Sequence, residues 1–282
     1  MSRFLVLALI LAACGGATFP PGGTNAPAYP NLLLATTTST QDSGLLDVLI
    51  PDFEKRTGYK VKTSAVGTGQ ALAIAERGDA DVALVHAPSL ELDFMAKGAG
   101  SRRLLVFHND FIVVGPTDDP AHAKGKSAFD ALRAIASAQA TFISRGDNSG
   151  TDVLEKSLWK QIAITPQKPW YLEAGVGMGQ TLTVASEKRA YTITDRGTYL
   201  ARREALQLTI VVDKDPPLLN VYHVITVNAD RFPRVNKAGA DAFADYLVSA
   251  EAQQIVGAFG VEKFGQPLFF PDAGKRDEDV GK

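Results

Sequence analysis

A two-lobed α/β fold is predicted by three features of this chain. Short β-like runs alternate with helical patterns, this alternation occurs in two successive series, and the chain then returns with too few elements for a third domain. The returning elements therefore rejoin the first lobe. Each lobe is expected to be a mixed, mostly parallel sheet flanked by helices, and a ligand is expected in the cleft between lobes, where strand ends meet loops.

In the first series, 32–36 reads as a strand, 45–56 as a helix, 61–66 as a strand, 70–77 as a helix and 82–86 as a strand. The second series starts after Gly115-Pro116. A helix over 128–138 is followed by a strand over 141–144, and then by a helix with apolar residues at Val153, Leu154, Leu158 and Ile162, spaced as one helical face. Strands over 170–173 and 190–194 complete it. After Pro216-Pro217 come a strand over 221–227 and a helix over 240–249. Two crossings, over 114–116 and 213–222, would then form a hinge.

The ends of the chain say where it works. Met1-Ser2-Arg3 is a short basic start, and the apolar run from Phe4 to Ala13 is too short to span a bilayer but suits a secretory signal. Leu11-Ala12-Ala13-Cys14 resembles the lipobox of bacterial lipoproteins, which implies acylation of Cys14 and an anchored, extracytoplasmic protein in the periplasm or at the cell surface. Cys14 is the single cysteine, so an internal disulfide and a cysteine-rich metal site are excluded. The stretch 15–30 mixes Gly, Pro and Thr without charge; at roughly 3.3 Å per residue it reaches about 50 Å as a mobile tether.

The expected organisation is a signal over 1–13, a tether over 14–30, lobe 1 over 31–115 plus 218–272, lobe 2 over 116–217, and a disordered tail over 273–282. The formal charge is −2 and becomes one unit more negative when Arg3 leaves with the signal. Nothing in this balance suits a nucleic-acid binder.

Four strand-to-helix loops carry the candidate chemistry. The most informative is Ser144-Arg145-Gly146-Asp147-Asn148-Ser149-Gly150-Thr151-Asp152, where a guanidinium lies beside hydroxyls and the free N–H groups of a starting helix. That combination traps anions. The others are the hydroxyl run from Thr36 to Thr40, the small-residue turn Gly67-Thr68-Gly69, and the segment from Gly175 to Thr181, which brings Gly179 within reach of a ligand. Each also has a plain structural reading: hydroxyls cap helices, glycines make turns, and Arg145 with Asp147 makes a surface ion pair. Four donor-rich loops at equivalent places in two lobes argue for a ligand.

The strings ATTTST, VGTGQAL, GDADVALVHAP, NDFIVVGP, SRGDNSGT, GMGQTL, AYTITDRGTYLA and VYHVITVN, with the ending from Ala242 to Pro271, closely resemble the tungstate-binding component of bacterial ABC transporters. The resemblance covers nearly the whole folded body, from Asn31 to Pro271. It implies a periplasmic-binding-protein-like fold with two crossover strands, a monomer that closes on tungstate or molybdate and hands it to a permease driven by an ATPase. By position, the family's ligand-contacting loops fall on Thr36 to Ser39, with Thr36, Thr38 and Ser39 as contacts, on Thr68 and Gly69, and on Arg145 with Ser149, Gly150 and Thr151. The Phe107-His108 pair, where the family leads one to expect a tyrosine-like aromatic pairing, departs from the pattern near the hinge.

Tungstate and molybdate carry no proton near neutral pH, so a site made only of donors suits them, whereas hydrogen phosphate rewards an acceptor. Asp147 is the residue on which this turns. Paired with Arg145 it orients the guanidinium and leaves the ligand facing donors; turned inward it would favour phosphate. The R-x-D-x-S-G-T pattern also resembles phosphate-binding proteins of the same superfamily, and the hydroxyl run tips the choice to tungstate. Sulfate, another proton-free dianion, must be rejected by cavity size.

An exported serine hydrolase is the remote alternative, with Ser39 or Ser149 as nucleophile. It lacks a G-x-S-x-G elbow, and none of the four histidines has a base-like or metal-like companion nearby in sequence, so His86, His122 and His223 read as structural. No enzyme, cofactor or protein-ligated metal is expected. A sensory or adhesive anion-binding lipoprotein remains a third class, which a permease and ATPase encoded beside this chain would decide against.

Overall fold

The computed structural model describes residues 27–147 and 149–281. The expected signal, Cys14 and most of the tether lie outside the described residues, as does Asn148. Among the described residues no helix is long and apolar enough to cross a membrane.

The chain runs through β1 (Asn31–Thr37), α1 (Thr38–Asp42), α2 (Leu46–Thr57), β2 (Lys60–Val66), α3 (Thr68–Glu76), β3 (Val82–Val85) and α4 (Pro88–Ala96) before the long strand β4 (Gly100–Pro116). The second lobe holds α5 (Ala128–Ser137), β5 (Phe142–Ser144), α6 (Gly150–Gln161), β6 (Tyr171–Glu173), α7 (Met178–Glu187), β7 (Thr192–Asp195), α8 (Arg196–Arg202) and β8 (Leu208–Val212). The return consists of β9 (Leu219–Val227), α9 (Lys237–Leu247), α10 (Ala250–Ala258), α11 (Val261–Phe264) and β10 (Phe270–Pro271).

In lobe 1 the sheet order is β10-β4-β9-β3-β1-β2. Parallel pairing is confined to β1 with β2 and β3, because these are joined by helical crossovers; the returning β9 runs antiparallel to both β3 and β4. All four residues of β3 are buried, as expected of an inner strand covered on both faces. Leu46, Leu49 and Phe53 form the buried stripe of α2. In lobe 2, β5 pairs in parallel with β6, while β7 and β8 flank the far half of β4. One apolar core, from Leu32 and Leu34 through Phe107 and Ile112 to Met178 and Leu182, runs along β4 and joins both lobes.

The first crossing is earlier than the sequence suggested. β4 pairs with β9 up to Asp110 opposite Leu219 and changes partner to β7 at Phe111, so the lobes meet at 110–111 rather than 114–116. Gly115-Pro116 marks the end of the strand, not the crossing. The second crossing lies between the end of β8 and the start of β9, within the predicted 213–222. Arg196, at the start of α8, clamps the two crossings together. It bonds Asp110 through both Nε and Nη2, at 2.8 Å for the Nε contact, and Asp213 at 3.0 Å.

The tail is a second correction. Residues 273–281 are not loose but pack on lobe 1: Asp277 pairs with Arg103 and with the buried His223, and Val280 is buried. Its mixed charges meet complementary charges, which local composition does not reveal. Asp272, wholly buried before this segment, accepts from His108 Nδ1 at 2.6 Å and from Lys275 at 2.8 Å. That pair is what the Phe107-His108 departure serves, with the His108 ring stacked on Phe270.

Burial pushes the Asp272 carboxyl up, but the His108 and Lys275 bonds outweigh it and hold it below the ordinary carboxylate range. A depressed carboxylate stabilises above its unfolded value and loses that contribution as pH falls through the folded one. Asp272→Ala should therefore cost about 1–3 kcal/mol in urea unfolding at pH 7, the scale of a buried partner lost. The difference from the unmodified protein should hold steady down to about pH 4, near the unfolded value of an aspartate, and shrink as pH falls further through the folded value; a cost that does not change with pH would remove the ionised pair from the account.

Candidate functional site

The lobe 1 wall starts where β1 becomes α1. Thr37 keeps an extended backbone and caps α1, its hydroxyl accepting from the Thr40 N–H at 3.1 Å. Strand alternation sorts the hydroxyl run. Thr36 faces β3 and donates to the Leu84 carbonyl at 2.7 Å, so it has no proton left for a ligand. This corrects its expected role: Thr36 is a buried strut between strands, and the hydroxyls that reach the cleft are Thr38 and Ser39. Register places the next loop beside them, because Thr37 is opposite Val66 and α3 opens immediately afterwards with Thr68 and Gly69. Thr68 and Gly69 lie outside the main cavity, and the space around Gly69 is open.

The lobe 2 wall is the loop from β5 to α6. Gly146 turns it with φ 65°, and any Cβ there would lie 2.7 Å from Glu173, so the position requires glycine. Asp152 ties the loop down from below, accepting from the Gly146 N–H at 3.0 Å and the Ser144 hydroxyl at 3.2 Å. Beside it Glu155 is pushed up to about 7 by burial, against the bonds from Ser144, Tyr171 and Trp159. Ser149 caps α6 through the Asp152 N–H at 3.4 Å. Thr151 is buried in the first turn of α6 and does not line the cavity.

Asp147 has the orientation that leaves donors facing the cleft. It accepts from Arg145 Nε at 3.0 Å and Nη2 at 2.7 Å, and from the Ser149 N–H at 3.1 Å, and it does not line the cavity. Burial pushes its carboxyl up, but the Ser149 and Arg145 bonds prevail and keep it below the usual range. A guanidinium has five N–H donors in a planar fork, so holding one edge leaves Nη1 to a ligand.

Thr38, Ser39, Arg145 and Gly179 thus line one interlobe cavity of about 880 Å³, with Asn109 at its hinge side. It is far larger than a tetrahedral oxyanion, so an anion would occupy only part of it. Gly179, in the first turn of α7, packs against Arg202: a Cβ at Gly179 would lie 2.5 Å from the Arg202 Nε. The acid Asp195 lines the cavity too, but both its oxygens are taken by Thr198.

Sequence reasoning missed His86, and it placed Thr37 in the ligand loop without giving it a role of its own. The His86 ring follows β3, packs at a tilt of 37° against Tyr222 with centroids 4.7 Å apart, and bonds the hydroxyls of Thr37 and Ser39. Its Cε1 comes within 2.9 Å of where a Cβ on Gly150 would be, so it is in contact with the start of α6 across the cleft. The available signal was its place at the carboxyl end of a parallel strand, where α/β sheets hold ligands. Among the described residues no cluster of His, Cys, Asp and Glu could hold a metal ion.

Comparison with known proteins fits this geometry. A family profile described as a PBP superfamily domain matches residues 23–251. A curated relative, the tungstate-binding protein TupA of Peptoclostridium acidaminophilum, is 48% identical over 279 residues, which is 98% of each chain. The solved tungstate-binding protein TupA of Desulfovibrio alaskensis G20 superposes with a TM-score of 0.81 at 45% identity, covering 86% of this chain and 99% of that one. The structure described as the tungstate ABC transporter from Geobacter sulfurreducens has a TM-score of 0.72 at 49% identity, covering 83% of this chain and 100% of that one.

Proposed function

This chain belongs to the PBP superfamily, in the family of its tungstate-binding relatives, and from that premise we propose that it captures tungstate, and molybdate with it, outside the cytoplasm. It is a binding component of an ABC transporter and not an enzyme. The observation that carries the choice of ligand is the Arg145 guanidinium, held on one edge by Asp147, in the same cavity as Thr38 and Ser39. A proton-free dianion there meets donors from both lobes and no inward-turned carboxylate at the Arg145 end.

The proposed mechanism is closure. Donors of lobe 1 and of the Arg145 loop lie on opposite walls of a wet cleft; a dianion bridges them, sheds its hydration shell, and is held by short bonds in a drier space. Thr68, Gly69, Ser149, Gly150 and Gly179 would approach the ligand through backbone N–H groups as the walls meet. The crossings at 110–111 and 213–219 would serve as the hinge between lobes. The closed form would be the one that the permease recognises, with the ATPase driving release. We assign Cys14 as the lipid anchor of a monomer whose tether keeps the body clear of the membrane.

Competitive calorimetry on the body from Asn31 onward, with tungstate, molybdate, sulfate and phosphate, tests the reading. Tungstate should bind tightest, molybdate should compete, and phosphate should fail because it brings a proton that the Arg145 end has no acceptor for. Tight phosphate binding without a response to tungstate would replace this reading by that of a phosphate-binding protein, and preference for sulfate would do the same for a sulfate carrier.

A further inference from the structure

We propose that His86 is a positioning residue of the oxyanion site and that it takes up one proton from solvent when the dianion enters. The inference rests on the tungstate reading above and adds a residue and a proton to it. His86 Nε2 lies 3.0 Å from the Thr37 hydroxyl and 3.2 Å from the Ser39 hydroxyl. Ser39 lines the cavity, so its hydroxyl proton must choose between the imidazole and a ligand.

The other side of the ring decides which nitrogen holds the proton at rest. Asn220 stands beside His86 and favours its protonated form, and its Nδ2 is already spent on Asn109 Oδ1 at 2.8 Å and the Tyr222 hydroxyl at 2.9 Å. With Nδ2 spent, Asn220 favours a ring proton through its oxygen, which calls for a ring N–H. With Nε2 at the hydroxyls, that N–H is Nδ1, and neutral Nε2 is an acceptor for Ser39 or Thr37. Burial pushes the imidazole down to about 4, against Glu91 and Asn220, so the empty site holds it neutral at ordinary pH.

A dianion reverses the demand. Its oxygens call for hydroxyl protons, and once Ser39 turns toward them Nε2 is left with Thr37, whose hydroxyl is shared with that of Thr40 at 2.6 Å. A proton on Nε2 restores the bond with the opposite polarity, the ring now donating to the Ser39 oxygen while the Ser39 proton points at the anion. Charge favours the same change: Asp147 already matches the charge of Arg145, so the imidazolium adds a positive charge beside the Ser39 hydroxyl for the incoming dianion. The groups facing the ring are Thr37 and Ser39 from the start of α1, Glu91 from α4, Asn220 and Tyr222 from β9, and the Gly150 end of α6. Glu91 is itself bound to Arg103 and His223, which leaves the anion as the new charge in the balance.

Dilute tungstate should be titrated into the protein at pH 7 in buffers of different ionisation enthalpy, and the imidazole nitrogens followed by NMR in the unmodified protein. About one proton should be taken up per tungstate, and affinity should rise up to about tenfold for each pH unit lowered between 8.5 and 6.5. The His86 ring should be doubly protonated only in the complex, and His86→Gln should bind more weakly and without proton uptake. Tungstate binding with no proton uptake and a neutral His86 ring would overturn this inference and leave the tungstate reading standing. Uptake that persists in His86→Gln would assign the proton to another group. Failure to bind tungstate or molybdate at all would overturn both.

Discussion

Arg145→Ala is expected to weaken tungstate binding by about 2 kcal/mol or more, roughly thirty-fold in Kd, the scale of a charge-assisted bond in a desolvated site. The side chain is mostly buried, lines the cavity, and has one edge held by Asp147, so little reorganisation is needed when an anion takes the free edge. Arg145→Lys should recover only part of the loss, because an ammonium cannot hold Asp147 through two nitrogens and reach the ligand with a third. Calorimetry at constant pH measures both variants. Near-native affinity in Arg145→Ala would take the residue out of the site and with it the argument for a proton-free dianion.

Arg196→Ala should destabilise the protein by about 3–5 kcal/mol, the cost of breaking a buried pair and stranding its partner charge. Asp110 would lose both guanidinium bonds, and its side chain is only 6% exposed, so water could not replace them fully. The loss is measured as a shift in urea midpoint at unchanged slope. The same change should leave the Arg145 loop intact, since no bond connects the two arginines, and tungstate should still restore part of the stability by binding the folded form. A shift below about 1 kcal/mol would mean that the clamp is a surface-like pair of little value.

Most elements were legible because their burial is periodic. The α2 stripe at Leu46, Leu49 and Phe53 and the all-buried β3 follow from local pattern and sheet position, and α6 begins where its capping serine stands. The long β4 was not legible as one strand. Asn109 and Asp110 interrupt its apolar run, and they are tolerated inside only because Asn220 and Arg196, far away in sequence, satisfy them. The tail was misread for the same reason, since its charges find Arg103 and His223 in the folded body.

Within the site, the hydroxyl run from Thr36 to Thr40 announced donors without saying which of them point at a ligand. One residue of register separates Thr36, spent on Leu84, from the cleft-facing Thr38 and Ser39. His86 read as a structural histidine because its partners Thr37, Ser39, Asn220 and Gly150 come from three other segments.

By itself the sequence determined the two-lobed α/β class, the anion-binding character of the loop from Arg145 to Thr151, and the tungstate family, since these depend on periodicity, residue type and motif order along the chain. Only the tertiary structure decided that Asp147 holds Arg145, that Thr36 is a strut, that the lobes cross at 110–111 and that His86 stands between the two walls. The physical reason is direction. A hydrogen bond or an ion pair depends on where a side chain points and what meets it there, and that is settled by strand register and by contacts between segments distant in sequence.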